Sequence, residues 1–211
     1  MHDKSMNPSL KLLLDTAQEM ILEKGCRATT LRDIADRSQL TKGAIYHYVK
    51  SKDELFALIL EAGIADTNQR FYESVARAPS GPKGIEGPLS TLSERLRGAA
   101  SADGVSNLIF FYLLSQKDKP AVAQILKRYY ETSIQTSSKW IEVGQQHGAI
   151  PAHIDAKQAA RMFILFKNGL QVQHIIAAGD EDDIDELEVY AFMLNALGAR
   201  PEADGVSPSQ P

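Results

Sequence analysis

The stretch Thr29–Leu55 sets three helix starts one after another, each with its own cap, and leaves little choice of local fold. Thr30 is followed three residues later by Asp33, the reciprocal pairing of a capping box; Leu31, Ile34 and Ala35 then share one face of a short helix. Thr41 opens the second, with Leu40 before it and Ile45 at the fourth helical position, a pair suited to a hydrophobic staple. Ser51 opens the third, with Glu54 placed to complete another capping box. Two short helices joined by a tight turn, with small Ala35 where they cross, predict a helix-turn-helix.

Charge says what the motif is for. Lys24, Arg27, Arg32, Arg37, Lys42, Lys50 and Lys52 stand against only Asp33 and Asp36, within a chain of formal net charge −4. Such a local excess is the electrostatic footprint of nucleic-acid binding. Lys42 and Lys52 each fall in the first turn of a helix, where a cation opposes the macrodipole unless a phosphate arrives to share it. Gly43 lets another backbone come close.

The segment resembles the DNA-binding domain of the TetR/AcrR family of transcriptional regulators, through Gly25, Thr30, Ile34-Ala35, Leu40-Thr41-Lys42-Gly43, Ile45-Tyr46 and Lys52-Asp53-Glu54-Leu55. The family usually has Gly where Gln39 stands, in the turn, and often Phe where Val49 stands. A non-Gly residue at positive φ costs roughly 1 kcal/mol, so the turn is expected to be strained or reshaped. The resemblance implies that Thr30, Tyr46, Tyr48 and Lys52 hold phosphates, beside the capping Thr41, while Lys42, Gly43, Ala44 and His47 face base edges. Lys can donate to guanine, and Ala44 or the rim of His47 can touch a thymine methyl.

The rest of the chain narrows the alternatives. Its 211 residues, 44% hydrophobic, suffice for one sizeable core plus a small appendage. A single cysteine, Cys26, excludes a disulfide framework or a Cys-rich zinc site and reads as a small buried hydrophobe. Neither a secretory leader pattern nor a run near the ~20 apolar residues that span a bilayer is present, so a soluble, cytoplasmic protein without membrane partners is expected. No Gly-rich phosphate loop, nucleophile elbow or metal-ligand spacing occurs; the reading is a non-enzyme with no cofactor and no metal.

Helical periodicity continues to about Leu197, predicting an all-α fold of about nine helices: a helix-turn-helix domain over 1–52, a helical effector-binding and dimerisation domain over 53–198, and a disordered tail over 199–211. A long helix is expected from Lys52 to about Ala78, a breaker-rich loop over Pro79–Pro88, and a helix from about Pro88 to Ala102. Leu108–Leu114 is apolar all round; a lone strand would leave its backbone groups unpaired, so a buried helix is expected. Further helices run from Pro120, from Ala156 to Ala178 behind the cap Asp155, and over Ile184–Leu197.

The last two are too apolar for one-sided burial, which points to a partner copy. Such regulators usually dimerise through their last two helices, and the residues expected at that interface are Phe163, Leu170, Leu187, Tyr190, Ala191 and Leu194. For a small-molecule effector the candidates are Phe110, Phe111, Tyr129, Trp140, Phe166, Gln171 and His174, aromatic surfaces interspersed with polar groups. Few carboxylates lie near them, which favours a neutral or anionic, largely apolar ligand. The function expected is a ligand-responsive repressor that binds a near-palindromic operator as a dimer. A helix-turn-helix regulator without such an effector, controlled by a protein partner or acting as an activator, is the alternative.

Overall fold

Each cap read from the sequence opens a helix in the computed structural model, which describes residues 7–79, 81, 104–176, 188, 192 and 195. Among these residues there are seven helices: α1 Pro8–Ala28, α2 Leu31–Ser38, α3 Lys42–Tyr48, α4 Lys52–Arg77, α5 Val105–Leu114, α6 Pro120–Gln146 and α7 Ala156–Ile176. The count falls short of nine because the helix expected over 88–102 lies outside the described residues. Of the one expected over 184–197, only Glu188, Phe192 and Asn195 are described, each with helical backbone.

Local chemistry accounts for most boundaries. The Asn7 side chain caps α1, accepting from the Ser9 N–H at 2.9 Å. Near its other end Gly25 leaves the helical region at φ 79°, ψ 164°, a conformation that suits a residue without Cβ. Thr29 closes that end: its hydroxyl donates to the Gly25 carbonyl at 2.9 Å. The capping box of α2 is complete, with Asp33 N–H on Thr30 Oγ1 at 3.1 Å and Thr30 N–H on Asp33 Oδ2 at 3.3 Å. At α4 only half of the expected box forms. Ser51 Oγ accepts from the Glu54 N–H at 3.1 Å, but the Glu54 carboxylate reaches past Ser51 to the Lys50 N–H at 2.6 Å. Lys50 is the donor in need there, since the last α3 hydrogen bond is made by Val49.

Leu108–Leu114 is helical, within α5, with Ile109 and Leu113 fully buried and Leu114 exposed. One apolar cluster runs from α1 into α6: Leu13, Ile21, Ile34, Ile45 and Phe56 pack together with Ile109, Leu113, Val122 and Ile125. The core therefore passes without a gap across residue 52. Two smaller clusters tie the far end of the body together. Phe71 and Trp140 stack at 5.3 Å beside Phe163 and Leu170, and Ile134, Ile141, Ile150, Ala160 and Ile164 join α6 to α7. No described helix is long and apolar enough to cross a membrane.

Candidate nucleic-acid interface

Helix α3 is short and offers its whole outer side to solvent. Thr41, Lys42, Gly43, Tyr46 and His47 are exposed, Tyr46 by 57%, whereas Ile45 on the opposite side is 1% exposed and anchors the helix. Thr41 Oγ1 holds the helix start by accepting from the Ala44 N–H at 3.2 Å, and Leu40 packs beside Ile45 in the main core. Thr30 lies exposed at the start of α2, its hydroxyl engaged in the capping box.

The turn between α2 and α3 keeps the left-handed geometry that usually calls for glycine. Gln39 sits at φ 56°, ψ 17°, the one positive-φ non-glycine among the described residues. The backbone thus holds the left-handed conformation and accepts the strain of a side chain in it.

The cations sort into two groups. Lys24 pairs with Asp33 at 2.7 Å and Arg37 with Glu23 at 2.7 Å, pinning α1 to α2; Arg32 lies 3.9 Å from Asp36. The hydrogen bond from Lys24, then that from Thr30, hold the Asp33 carboxyl below the usual carboxylate range, and that from Arg37 does the same for Glu23. Arg27, Lys42 and Lys50 make no ion pair among the described residues and are exposed. Three cations therefore remain on this end of the molecule for a polyanion.

Two residues expected at the interface are placed differently. Tyr48 is half-buried: its ring meets His47 edge-on at 5.2 Å and packs against the main core. Lys52 turns inward. Its ammonium donates to the carbonyls of Cys26 at 3.0 Å and Arg27 at 3.3 Å, with the Tyr112 ring centroid 5.0 Å away. A lysine in the first turn of α4 carries no sequence signal for partners twenty-five residues upstream. Cys26 is buried as expected, and burial pushes its thiol up to about 11.

The effector candidates divide between two places. Trp140 is sealed against Phe71, its indole N–H donating to Asn68 Oδ1 at 2.9 Å. Phe110 and Tyr129 face each other at 6.1 Å where α5 meets α6, with Phe111 5.6 Å from Phe110. Lys167 of α7, 5% exposed, reaches within 5.7 Å of the Tyr129 ring, and Gln171 one turn later donates to Asn107 Oδ1. Lys167 and Asn107 were not legible as site residues, because nothing local marks a lysine or an asparagine as buried. The His174 side chain lies outside the described residues.

Phe166 is 38% exposed and packs edge-on against Phe192, with Met162, Leu165, Val172 and Ile176 also exposed along α7. Met162, Leu165, Phe166, Gly169 and Phe192 line an apolar groove of about 460 Å³. Phe163 and Leu170, expected at the dimer interface, pack into the protomer's own second core, and Leu170 also lines the groove. Leu187, Tyr190, Ala191 and Leu194 lie outside the described residues.

Residues 13–59 match the model of the bacterial regulatory proteins of the tetR family. Over 158 residues the chain is 26% identical to the HTH-type transcriptional regulator YfiR of Bacillus subtilis, covering 75% of this chain and 76% of that one. It is 27% identical over 149 residues to the HTH-type transcriptional repressor KstR2 of Rhodococcus jostii, covering 71% of each. Among solved structures, FadR of Bacillus subtilis in complex with stearoyl-CoA superposes with a TM-score of 0.63 at 16% identity, over 89% of this chain and 96% of that one. A SmeT–triclosan complex superposes with a TM-score of 0.64 at 18% identity, over 90% and 91%. With the capped α2–α3 pair and the exposed outer side of α3, the match over residues 13–59 gives the chain a tetR-type helix-turn-helix domain, and its relatives are DNA-binding transcriptional regulators.

Proposed function

We propose that this regulator is a repressor released from its operator by a small, largely apolar ligand seated where α5, α6 and α7 meet. The observation that carries the reading is a polar knot inside that aromatic junction. Gln171 Oε1, on the side chain that donates to Asn107, and Ser133 Oγ, one helical turn beyond Tyr129 on α6, are buried without a hydrogen-bond partner among the described residues. Buried polar atoms are nearly always satisfied, so two left open within an apolar setting suit the polar end of a guest. The KstR2 relatives are named repressors, and the FadR and SmeT structures hold stearoyl-CoA and triclosan.

On the DNA side, Lys42, Gly43, Ala44 and His47 read base edges, while Thr30, Thr41 and Tyr46 fix the register on phosphates with Arg27 and Lys50. Two copies joined through the exposed apolar side of α7 present two α3 helices, ~34–36 Å apart, to a near-palindrome. A ligand releases the operator only through a higher affinity for the geometry that fits DNA poorly.

Sealing of Trp140 favours a second reading for that part of the core, a regulator whose body takes no small molecule. Fluorescence anisotropy on DNA from upstream of the chain's own gene, over a salt series, tests the first step. Binding in the ~10⁻⁸–10⁻¹¹ M range, lost for scrambled DNA and weakened by Lys42→Ala, supports operator recognition. A ligand screen against that complex then separates the two readings. Release that Gln171→Leu or Ser133→Ala abolishes supports the effector site; no release by any apolar ligand supports the second.

A further inference from the structure

Helix α7 carries a lysine and a glutamine where its own pattern calls for apolar groups. Phe163, Lys167, Leu170 and Gln171 follow the i, i+4, i+7, i+8 spacing of one side of a helix, and all four are buried, Lys167 at 5% exposure and Gln171 at 4%. Phe163 and Leu170 pack with Phe71 and Trp140, so that side faces inward. Lysine is almost never buried to this extent without a polar or charged counterpart, because taking an ammonium out of water is costly. A leucine or methionine would fill the same stripe without that cost.

The two polar groups offer a guest different things. Lys167 Nζ lies 5.7 Å from the centroid of the Tyr129 ring, which faces Phe110 at 6.1 Å. An ammonium has three N–H donors, so it can keep a protein partner and still donate to an oxygen that enters beside it. Gln171 donates from its amide nitrogen to Oδ1 of the buried Asn107 in the first turn of α5, and its Oε1 stays an open acceptor. Side chains four apart on a helix are about 5–6 Å from each other at Cβ, so a positive donor and an open acceptor stand one turn apart.

That pair selects among apolar guests. A hydrocarbon or a neutral ester brings no anion to the ammonium. A bare carboxylate suits Lys167 but sets another acceptor against Gln171 Oε1. A carboxylate with a hydroxyl close by answers both groups at once.

On the effector junction proposed above, we infer that the ligand is an amphipathic hydroxy acid. Its carboxylate pairs with Lys167, its hydroxyl donates to Gln171 Oε1, and its apolar part lies against the rings of Phe110 and Tyr129.

Isothermal titration calorimetry of the full chain tests this with matched probes of hexanoyl, octanoyl and decanoyl length: the β-hydroxy acid, the parent acid without the hydroxyl, and the methyl ester of the hydroxy acid. The hydroxy acid should bind the unaltered protein roughly tenfold or more tighter than its ester, as a charge-assisted hydrogen bond warrants, and roughly fivefold tighter than the parent acid. Lys167→Met should erase the preference for acid over ester and keep that for the hydroxyl. Gln171→Leu should do the reverse. Unchanged affinity of each variant for a random-sequence duplex shows that its fold is kept; should a variant fail that control, the probes on the unaltered protein decide alone. An ester or a parent acid that binds as tightly as the hydroxy acid overturns the inference, and if Gln171→Leu weakens that binding the effector junction itself still stands. Binding of no probe at any length removes the junction and the inference together.

Discussion

Gly144 of α6 packs closely on Ile150 in the segment leading to α7, and the effect of a methyl group placed there should change sign with that neighbour. A Cβ built on Gly144 would lie 2.7 Å from Ile150 Cδ1 and 3.0 Å from Cγ1, both inside normal contact, while Ile150 itself is 1% exposed and hemmed in. Overpacking of that kind costs about 1–3 kcal/mol, and replacing glycine by alanine in a helix returns about 1 kcal/mol. Gly144→Ala should therefore destabilise the protein by about 1 kcal/mol. Ile150→Ala removes both offending atoms and on its own costs ~2–5 kcal/mol as a cavity. In that background the Gly144 methyl meets no clash, gains the helix preference and fills part of the void, so Gly144→Ala should stabilise. Urea denaturation of the four proteins at one fixed concentration measures the cycle, with a constant m-value as the check that only stability changed. If Gly144→Ala acts in the same direction in both backgrounds, the steric account of this joint fails.

Gln39→Gly should raise the melting temperature, because glycine relieves the left-handed cost at φ 56°, roughly 1 kcal/mol, though greater freedom in the unfolded chain offsets part of it. Cys26, with its thiol pushed up to about 11 by burial, should be alkylated by iodoacetamide at pH 8 at least about a hundredfold more slowly in the native than in the unfolded protein; equal rates would refute its burial. Folding lowers the Asp33 carboxyl's affinity for protons, so the unfolded chain takes up the proton first. Stability from Asp33 is present above the unfolded pKa, about 4, and lost as pH falls below it toward the depressed native value. Asp33→Asn should flatten that acid limb of a melting-temperature profile.

What was legible in the sequence was what neighbours in the chain decide. Thr30, Thr41 and Ser51 each cap the helix that follows within a single turn, and Asp155 does the same for α7 by accepting from the Gln158 N–H at 2.9 Å. Such signals need no knowledge of the remainder of the fold. The α3 face was legible for the same reason, since alternation of Ile45 with exposed neighbours is a local pattern. Lys52 was not. Its partners are the carbonyls of Cys26 and Arg27 and the ring of Tyr112, and only the tertiary arrangement brings them to one ammonium. Phe163 and Leu170, expected at the interface, also pack into the protomer's own second core, and an all-apolar helix does not say which of its sides faces that core.

The division of the basic residues carries the mechanism further than their number does. Lys24, Arg37 and Lys52 hold α1, α2, α4 and α5 in register, whereas Arg27, Lys42 and Lys50 are exposed without a carboxylate partner among the described residues. If only the second group meets phosphates, the salt dependence of binding should reflect those three and not all seven cations. The first group sets where the second is held. On the proposed reading, such a regulator would lose DNA without losing one contact residue, by a shift of the frame on which the contacts are mounted. The candidate effector junction and that frame meet on α5, where Phe110 faces Tyr129 and Tyr112 faces Lys52 only two residues apart.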